Sequence, residues 1–287
     1  MNATTVTALR GVFGMSAAIT PALTARVAGG LFCLPLGPRR INLHDARCPR
    51  AELFTLGTPG KRIEGYAWRL DTGRPRVMLA HGWGGWGLQL SGWINPLLDA
   101  GYEVVSFDQP GHGRSSGWSA TGASFAQSIR SVAASLGPFD AIIGHSFGAA
   151  IGALTLATPN QAHRAARAAV LIASPSDLID ATRSFATAIG LNEPVRARMQ
   201  RYLEARIGIR METFSVRQAG PEVTVPALVV HDRNDREIPF ACAEQIQRYW
   251  GGPIEILPTS GLGHRRIVND AGVIRAGVAF LGRVLLR

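Results

Sequence analysis

The chain has 287 residues, 46% of them apolar, with 30 basic and 20 acidic side chains and a net charge of +10. That length allows one large α/β domain or two small ones, and the apolar content excludes a mainly disordered chain. The positive charge is almost all arginine, Lys61 being the only lysine, and it is spread without a run of five like charges. Such dispersal argues against a nucleic-acid-binding stripe and reads as a compositional habit of the coding genome.

In chain order, the first feature is "GVFGMSAAITPALTA" (11–25), uncharged and bounded by Arg10 and Arg26. Pro21 interrupts it, and one arginine is a thin basic region for a secretory signal. An added helix lying against the domain is expected instead, within an N-terminal extension at 1–49. No apolar run approaches the roughly 20 residues that span a bilayer, so stable membrane insertion is not expected. Cys33, Cys48 and Cys242 are odd in number and irregular in spacing, without a CxxC pair or zinc pattern. They predict reduced thiols and a cytoplasmic location rather than a disulfide framework.

From residue 50 a short apolar run alternates with an amphipathic stretch. The runs are 52–56, 65–70, 76–80, 103–107, 140–144, 168–174, 227–232 and 254–258. From 76 onward they are nearly continuous aliphatics, as in parallel strands buried on both faces. Helices are expected at about 88–100, 122–136, 147–158, 240–250 and 266–286. The alternation predicts a three-layer α/β sheet, whose ligands bind at the carboxyl ends of the strands. Residues 175–225 break the rhythm. "SDLIDATRSFATAIG" and "EPVRARMQRYLEARIG" read as two helices starting near Ser176 and Glu193-Pro194, a small helical cap inserted over the sheet end.

Two stretches match Gly-x-Ser-x-Gly: "GRSSG" (113–117) and "GHSFG" (144–148). A nucleophile turn needs a strand before it, a helix after it and small neighbours. Ser146 has all three, with "FDAIIG" before it and "FGAAIGALTLA" after it. Ser115 lies between two turn-rich loops and fails. Serine also needs a base, and the base needs an orienting acid. Of the histidines at 44, 81, 112, 145, 163, 231 and 264, only His264 follows the last strand run. His145 adjoins Ser146 but is expected to point away from its side chain. "HDRNDREIP" offers Asp232, Asp235 and Glu237. Asp235 lies far enough into its loop to approach a neighbouring loop and is the preferred acid, with Asp232 second. The glycine-rich "HGWGGWG" (81–87) can bring backbone donors close to a ligand.

Four pieces in order, "HGWGG", "DQPGHGRSSG", "GHSFGAA" and "HDRNDREIP" followed by "GLGH", resemble the α/β-hydrolase superfamily over about residues 50–287. The nearest branch is that of the capped serine hydrolases and esterases. The resemblance implies a mostly parallel eight-stranded sheet flanked by helices, and catalytic groups in the order Ser146, Asp235, His264. It also implies an oxyanion hole from the backbone N–H groups of Trp83 and Phe147, and it makes the Ser115 loop structural. Related branches with an aspartate nucleophile do not fit Ser146, and Trp83 interrupts the glycines of a lipase-type HGGG loop.

The chemistry so implied is hydrolysis of a small-molecule carboxylic ester through an acyl-enzyme, with no metal or organic cofactor. The same groups also suit a thioester, amide, peroxy acid or C–C bond next to a ketone. A non-catalytic ligand receptor is the remote alternative. Trp83, Trp86 and Trp118 are candidates for an apolar acyl pocket, and the arginines at 183–217 for contacts to an anionic substrate or for solvated helix faces. Oligomeric state is not readable.

Overall fold

The computed structural model describes residues 3–35, 44–58, 60–156 and 166–285. His163, the end of the helix expected at 147–158 and residue 286 of the last expected helix lie outside the described residues.

Two helices open the chain, α1 (Ala3–Ile19) and α2 (Pro21–Phe32). Then come β1 (Glu52–Thr58), β2 (Lys61–Trp68), β3 (Arg76–Ala80), α3 (Ile94–Asp99), β4 (Glu103–Phe107), α4 (Gly122–Leu136), β5 (Ala141–His145), α5 (Phe147–Leu156) and β6 (Ala168–Ile172). Helices α6 (Leu178–Ile189), α7 (Glu193–Ile207) and the single-turn α8 (Val216–Ala219) separate β6 from β7 (Ala227–Asp232). The chain continues through α9 (Ala241–Tyr249), β8 (Ile254–Thr259), the single-turn α10 (Gly263–Arg266) and α11 (Ala271–Leu285).

The strands form one sheet in the order β1-β2-β4-β3-β5-β6-β7-β8. The β1–β2 and β2–β4 pairs are antiparallel and all others are parallel. Strands β4, β5, β6 and β7 are buried along their whole length. Only near-continuous aliphatic runs tolerate that, because both faces lie under helices.

Local chemistry moves several boundaries from their expected places. The helix expected at 88–100 is a 3-10 segment (Gly87–Trp93) that runs into α3, because Leu90 leaves helical geometry at φ −96° and ψ 24°. The helix expected at 266–286 is interrupted at Asp270, which is extended (φ −70°, ψ 131°). Its Oδ1 accepts from the N–H groups of Gly272 (2.9 Å) and Val273 (3.0 Å), so it starts α11 afresh. Asp177, not Ser176, caps α6: its Oδ1 accepts from Ile179 N–H at 2.8 Å. The Ser176 hydroxyl instead donates to Gln245 Oε1 at 2.8 Å. Asn192 caps α7 through Val195 N–H (3.1 Å), with Pro194 in the first turn.

The chain falls into two compact units, Met1–Leu34 with Asp177–Ser215, and Pro35–Ser176 with Val216–Arg287. The first is wholly helical. Phe13, Ala25, Ala28, Val195, Met199 and Leu203 share its core. The Arg10 guanidinium donates to the carbonyls of Thr187 (3.0 Å) and Ala188 (3.2 Å), occupying free acceptors at the end of α6. The helices of the expected 1–49 extension therefore share this unit with those of Asp177–Ser215. The second unit holds the sheet, with Trp93 buried at its centre and its Nε1–H donating to Val268 O at 2.7 Å.

Candidate active site

Strands β5, β7 and β8 are parallel, so the loops leaving them share one edge of the sheet. Ser146 follows β5 directly, at φ +52°. That left-handed conformation costs a non-glycine residue about 1–2 kcal/mol. The surroundings enforce it. Ser146 N–H donates to Ile172 O (2.8 Å), extending the ladder to β6. Its carbonyl accepts from the N–H groups of Ala149 (3.0 Å) and Ala150 (3.2 Å), starting α5. A Cβ on Gly144 would overlap the Ala149 backbone, and one on Gly148 would overlap the His81 and Ala80 carbonyl oxygens. Gly148→Ala is expected to destabilise the protein by about 1–3 kcal/mol, since backbone atoms must move to admit the methyl group. Thermal unfolding measures this, and an unchanged midpoint would contradict the close approach.

His264 lies in α10, just after β8, and its Nδ1–H donates to Asp235 Oδ2 at 2.8 Å. This partner leaves the Nε2 lone pair free to take a proton. Asp235 sits in the loop after β7, where its Oδ1 accepts from the N–H groups of Glu237 (2.8 Å) and Ile238 (2.9 Å). Burial by itself would raise the Asp235 pKa. Hydrogen bonds from His264 and those two amides outweigh it and hold the carboxyl below its usual range.

Asp232, the second candidate acid, does different work. Its Oδ2 accepts from Thr259 Oγ1–H (2.8 Å) and Leu262 N–H (2.9 Å), and its Oδ1 from Asn234 N–H (2.9 Å). It grips the backbone of the loop that carries His264, not the imidazole. His145 holds the same segment from the side of β5. Its Nε2–H donates to the His264 carbonyl at 2.9 Å, and the two rings lie 4.8 Å apart. The residue before Ser146 thus touches His264, which ties the three loops together.

The loop after β3 runs along the serine, and a Cβ on Gly82 would lie 3.1 Å from Ser146 Cβ. Two imidazoles fasten this loop. His81 accepts from Gln109 N–H at Nε2 (2.9 Å) and donates from Nδ1 to Gly82 O (2.8 Å). His112 accepts from Gly84 N–H at Nε2 (3.0 Å). The amides of Gly82 and Gly85 are also engaged, with Gln89 Oε1 and Gly82 O (3.0 Å each). The Trp83 ring meets Phe147 edge-on at 5.4 Å and stacks on Phe125 at 6.1 Å.

The other candidates fall elsewhere. Trp86 packs half-buried on the main core, and Trp118 stands 79% exposed. Ser115 is buried, donating to Asp108 O (2.5 Å) and accepting from Glu64 N–H (2.9 Å), so it is committed to backbone. Arg196 is buried and bound to Glu193, Thr182 and Gln200, while Arg183 and Arg210 pair with Asp180 and Glu212. Sequence reasoning missed the roles of Asp232, His145, His81 and His112. The histidines stood within the quoted motifs, but only the fold reveals their partners. Among the described residues, no cluster of three His, Cys, Asp or Glu side chains is placed to hold a metal ion.

Burial, with His112 nearby, pushes His81 down to about 3; burial, with His264 nearby, does the same to His145, also to about 3. Between that value and the ordinary 6.5, the unfolded chain binds protons on both rings and the folded chain does not. Stability is therefore fully present above about pH 6.5 and is lost as pH falls, by up to about 1.4 kcal/mol per pH unit for each ring. Thermal midpoints from pH 7 down to about pH 4.5 are expected to drop steeply, and His81→Gln to flatten the slope by one proton. A flat profile in the parent protein would show that these rings are not held neutral.

An eight-stranded, mostly parallel sheet with a strained serine between strand and helix defines the class of α/β-hydrolase folds. A family profile described as the alpha/beta hydrolase fold matches residues 75–208. No curated protein matches the sequence. Among solved structures, Est1E from Butyrivibrio proteoclasticus, with ferulic acid bound, is 17% identical with a TM-score of 0.66, covering 82% of this chain and 100% of that one. An esterase from Pyrococcus furiosus is 18% identical (TM-score 0.64; 88% and 97% covered). Mouse alpha/beta hydrolase domain-containing protein 10 is 14% identical (TM-score 0.64; 82% and 98% covered). The chain has the α/β-hydrolase fold.

Proposed function

We propose that the protein is a serine hydrolase that cleaves carboxylic esters through an acyl-enzyme. The observation that carries this reading is the strained Ser146 (φ +52°) on the same sheet edge as the loops that pair His264 with Asp235 at 2.8 Å, with the neighbouring His145 bonded to the His264 carbonyl. In the reaction, His264 Nε2 takes the Ser146 hydroxyl proton as Oγ attacks the ester carbonyl. The carbonyl electron pair moves to oxygen. The resulting oxyanion accepts from the N–H of Phe147, which as the first residue of α5 has no acceptor within its helix, and from that of Trp83, whose neighbouring amides are engaged. Collapse expels the alkoxide, which takes the proton from His264. Water then gives a proton to Nε2 and attacks the acyl carbon, and the acid leaves as Ser146 recovers its proton. Asp235 stays ionised, holding the ring and stabilising its cation.

The partly exposed rings of Trp83 and Phe147, backed by the buried Phe125, suit an apolar acyl group beside the serine. The esterase fold-mates support an ester as the substrate. Of the three candidate tryptophans, this reading keeps Trp83, whose ring lies against Phe147, as the substrate contact. A fluorophosphonate probe is expected to label the protein at Ser146, with Ser146→Ala unlabelled. An unlabelled parent protein would favour a non-catalytic role. A panel of oxygen esters and thioesters of graded chain length then reads the bond and acyl preference.

A further inference from the structure

The helical unit carries an apolar surface on its outside. Eight large apolar side chains are exposed among the described residues, and six of them lie between residues 12 and 34: Val12, Met15, Ile19, Leu23, Val27 and Leu34. Helix α1 is apolar on opposite faces. Phe13 and Ala17 enter the core of the unit, while Met15 and Ile19 are 67% and 80% exposed. An exposed patch of large apolar side chains marks a surface that meets a partner or a membrane. Neither α1 nor α2 is long and apolar enough to cross a membrane. An apolar phase can still meet them sideways, with the helix axes in the plane of the interface.

Charge selects the occupant. Residues 1–44 contain four arginines and no acidic residue, in a chain of net charge +10. Arg10 precedes the stripe and Arg26 lies within it; both are exposed, Arg26 carrying the charge that Arg10 shares with the Thr187 and Ala188 carbonyls. A second copy would set like charge against like charge across the same stripe. Anionic lipid headgroups complement both the arginines and the aliphatic side chains between them. We propose that α1 and α2 dock this protein reversibly on the surface of an anionic lipid bilayer. The positive charge of the N-terminal segment then has a function beyond the compositional habit read from the sequence.

Co-sedimentation of the full chain with vesicles tests this. Binding is expected to phosphatidylglycerol vesicles, to fall at least about tenfold in about 1 M salt, where the Debye length is about 3 Å, and to be weaker on phosphatidylcholine. Met15→Glu with Ile19→Glu is expected to weaken binding at least about tenfold, because two large aliphatic contacts are lost and anionic charge is added. Met15→Ser with Ile19→Ser removes the apolar area without added charge and is expected to weaken binding in the same direction. Both positions are exposed, so thermal midpoints should stay unchanged. No binding to phosphatidylglycerol vesicles would overturn the proposal. So would equal, salt-insensitive binding to both lipids. A dimer in lipid-free solution that the Glu variants convert to monomer would also overturn it, assigning the face to a second copy.

Discussion

Ser146→Ala is expected to lower kcat for a p-nitrophenyl ester by about 10⁴-fold or more, with little change in KM and none in thermal midpoint. The size follows from what is lost. In the proposed reaction no acyl-enzyme forms without Oγ, and water would have to attack directly using only the oxyanion donors. The fold survives because alanine keeps the Cβ already accommodated at φ +52°, and the backbone bonds to Ile172, Ala149 and Ala150 do not involve the hydroxyl. Ser115→Ala makes the contrast. It removes a buried hydroxyl that donates to Asp108 O, so its effect is expected on stability and not on the chemical step. Full activity in Ser146→Ala would overturn the assignment.

Asp235→Asn is expected to reduce kcat by about 10³–10⁴-fold while the loop keeps its shape. The amide oxygen can still accept from Glu237 and Ile238, replacing Oδ1. The amide nitrogen, however, then faces His264 Nδ1 as a donor where Oδ2 accepted at 2.8 Å. The imidazole responds by moving its proton to Nε2, the position that accepts the serine proton in the proposed reaction. Its cation also loses a buried negative neighbour. A kcat-specific loss with near-normal KM and CD spectrum identifies this effect. A loss confined to KM would point to a different acid. Asp232, which holds Thr259 Oγ1 and Leu262 N–H, has no such contact with the ring.

Much of this site is legible in the chain because its signals are local. A buried strand, one serine and small residues at 144, 148, 149 and 150 lie within about ten positions, and each is needed by the same tight turn. The aliphatic runs that became β3, β4 and β7 carry their boundaries in their own composition, since they are buried on both faces. Helix ends were harder, because a cap depends on one side chain reaching one amide: Asp177 rather than Ser176, and Asp270 inside an otherwise continuous helical pattern.

The sequence by itself determined which serine has a nucleophile's surroundings, the order of the motifs and the parallel α/β sheet. Those depend on period, turn chemistry and chain order, which are properties of neighbours along the chain. The sequence ranked Asp235 above Asp232; only the tertiary structure decided that Asp232 grips the loop of the imidazole that Asp235 meets, and that His145 donates to the His264 carbonyl. It alone placed Trp118 on the surface, and it alone packed the first 34 residues with the inserted helices. Asp232 and Asp235 stand three residues apart with the same carboxyl group. What separates their partners is the path of a loop some 30 residues further on, and no pattern local to either residue encodes that path.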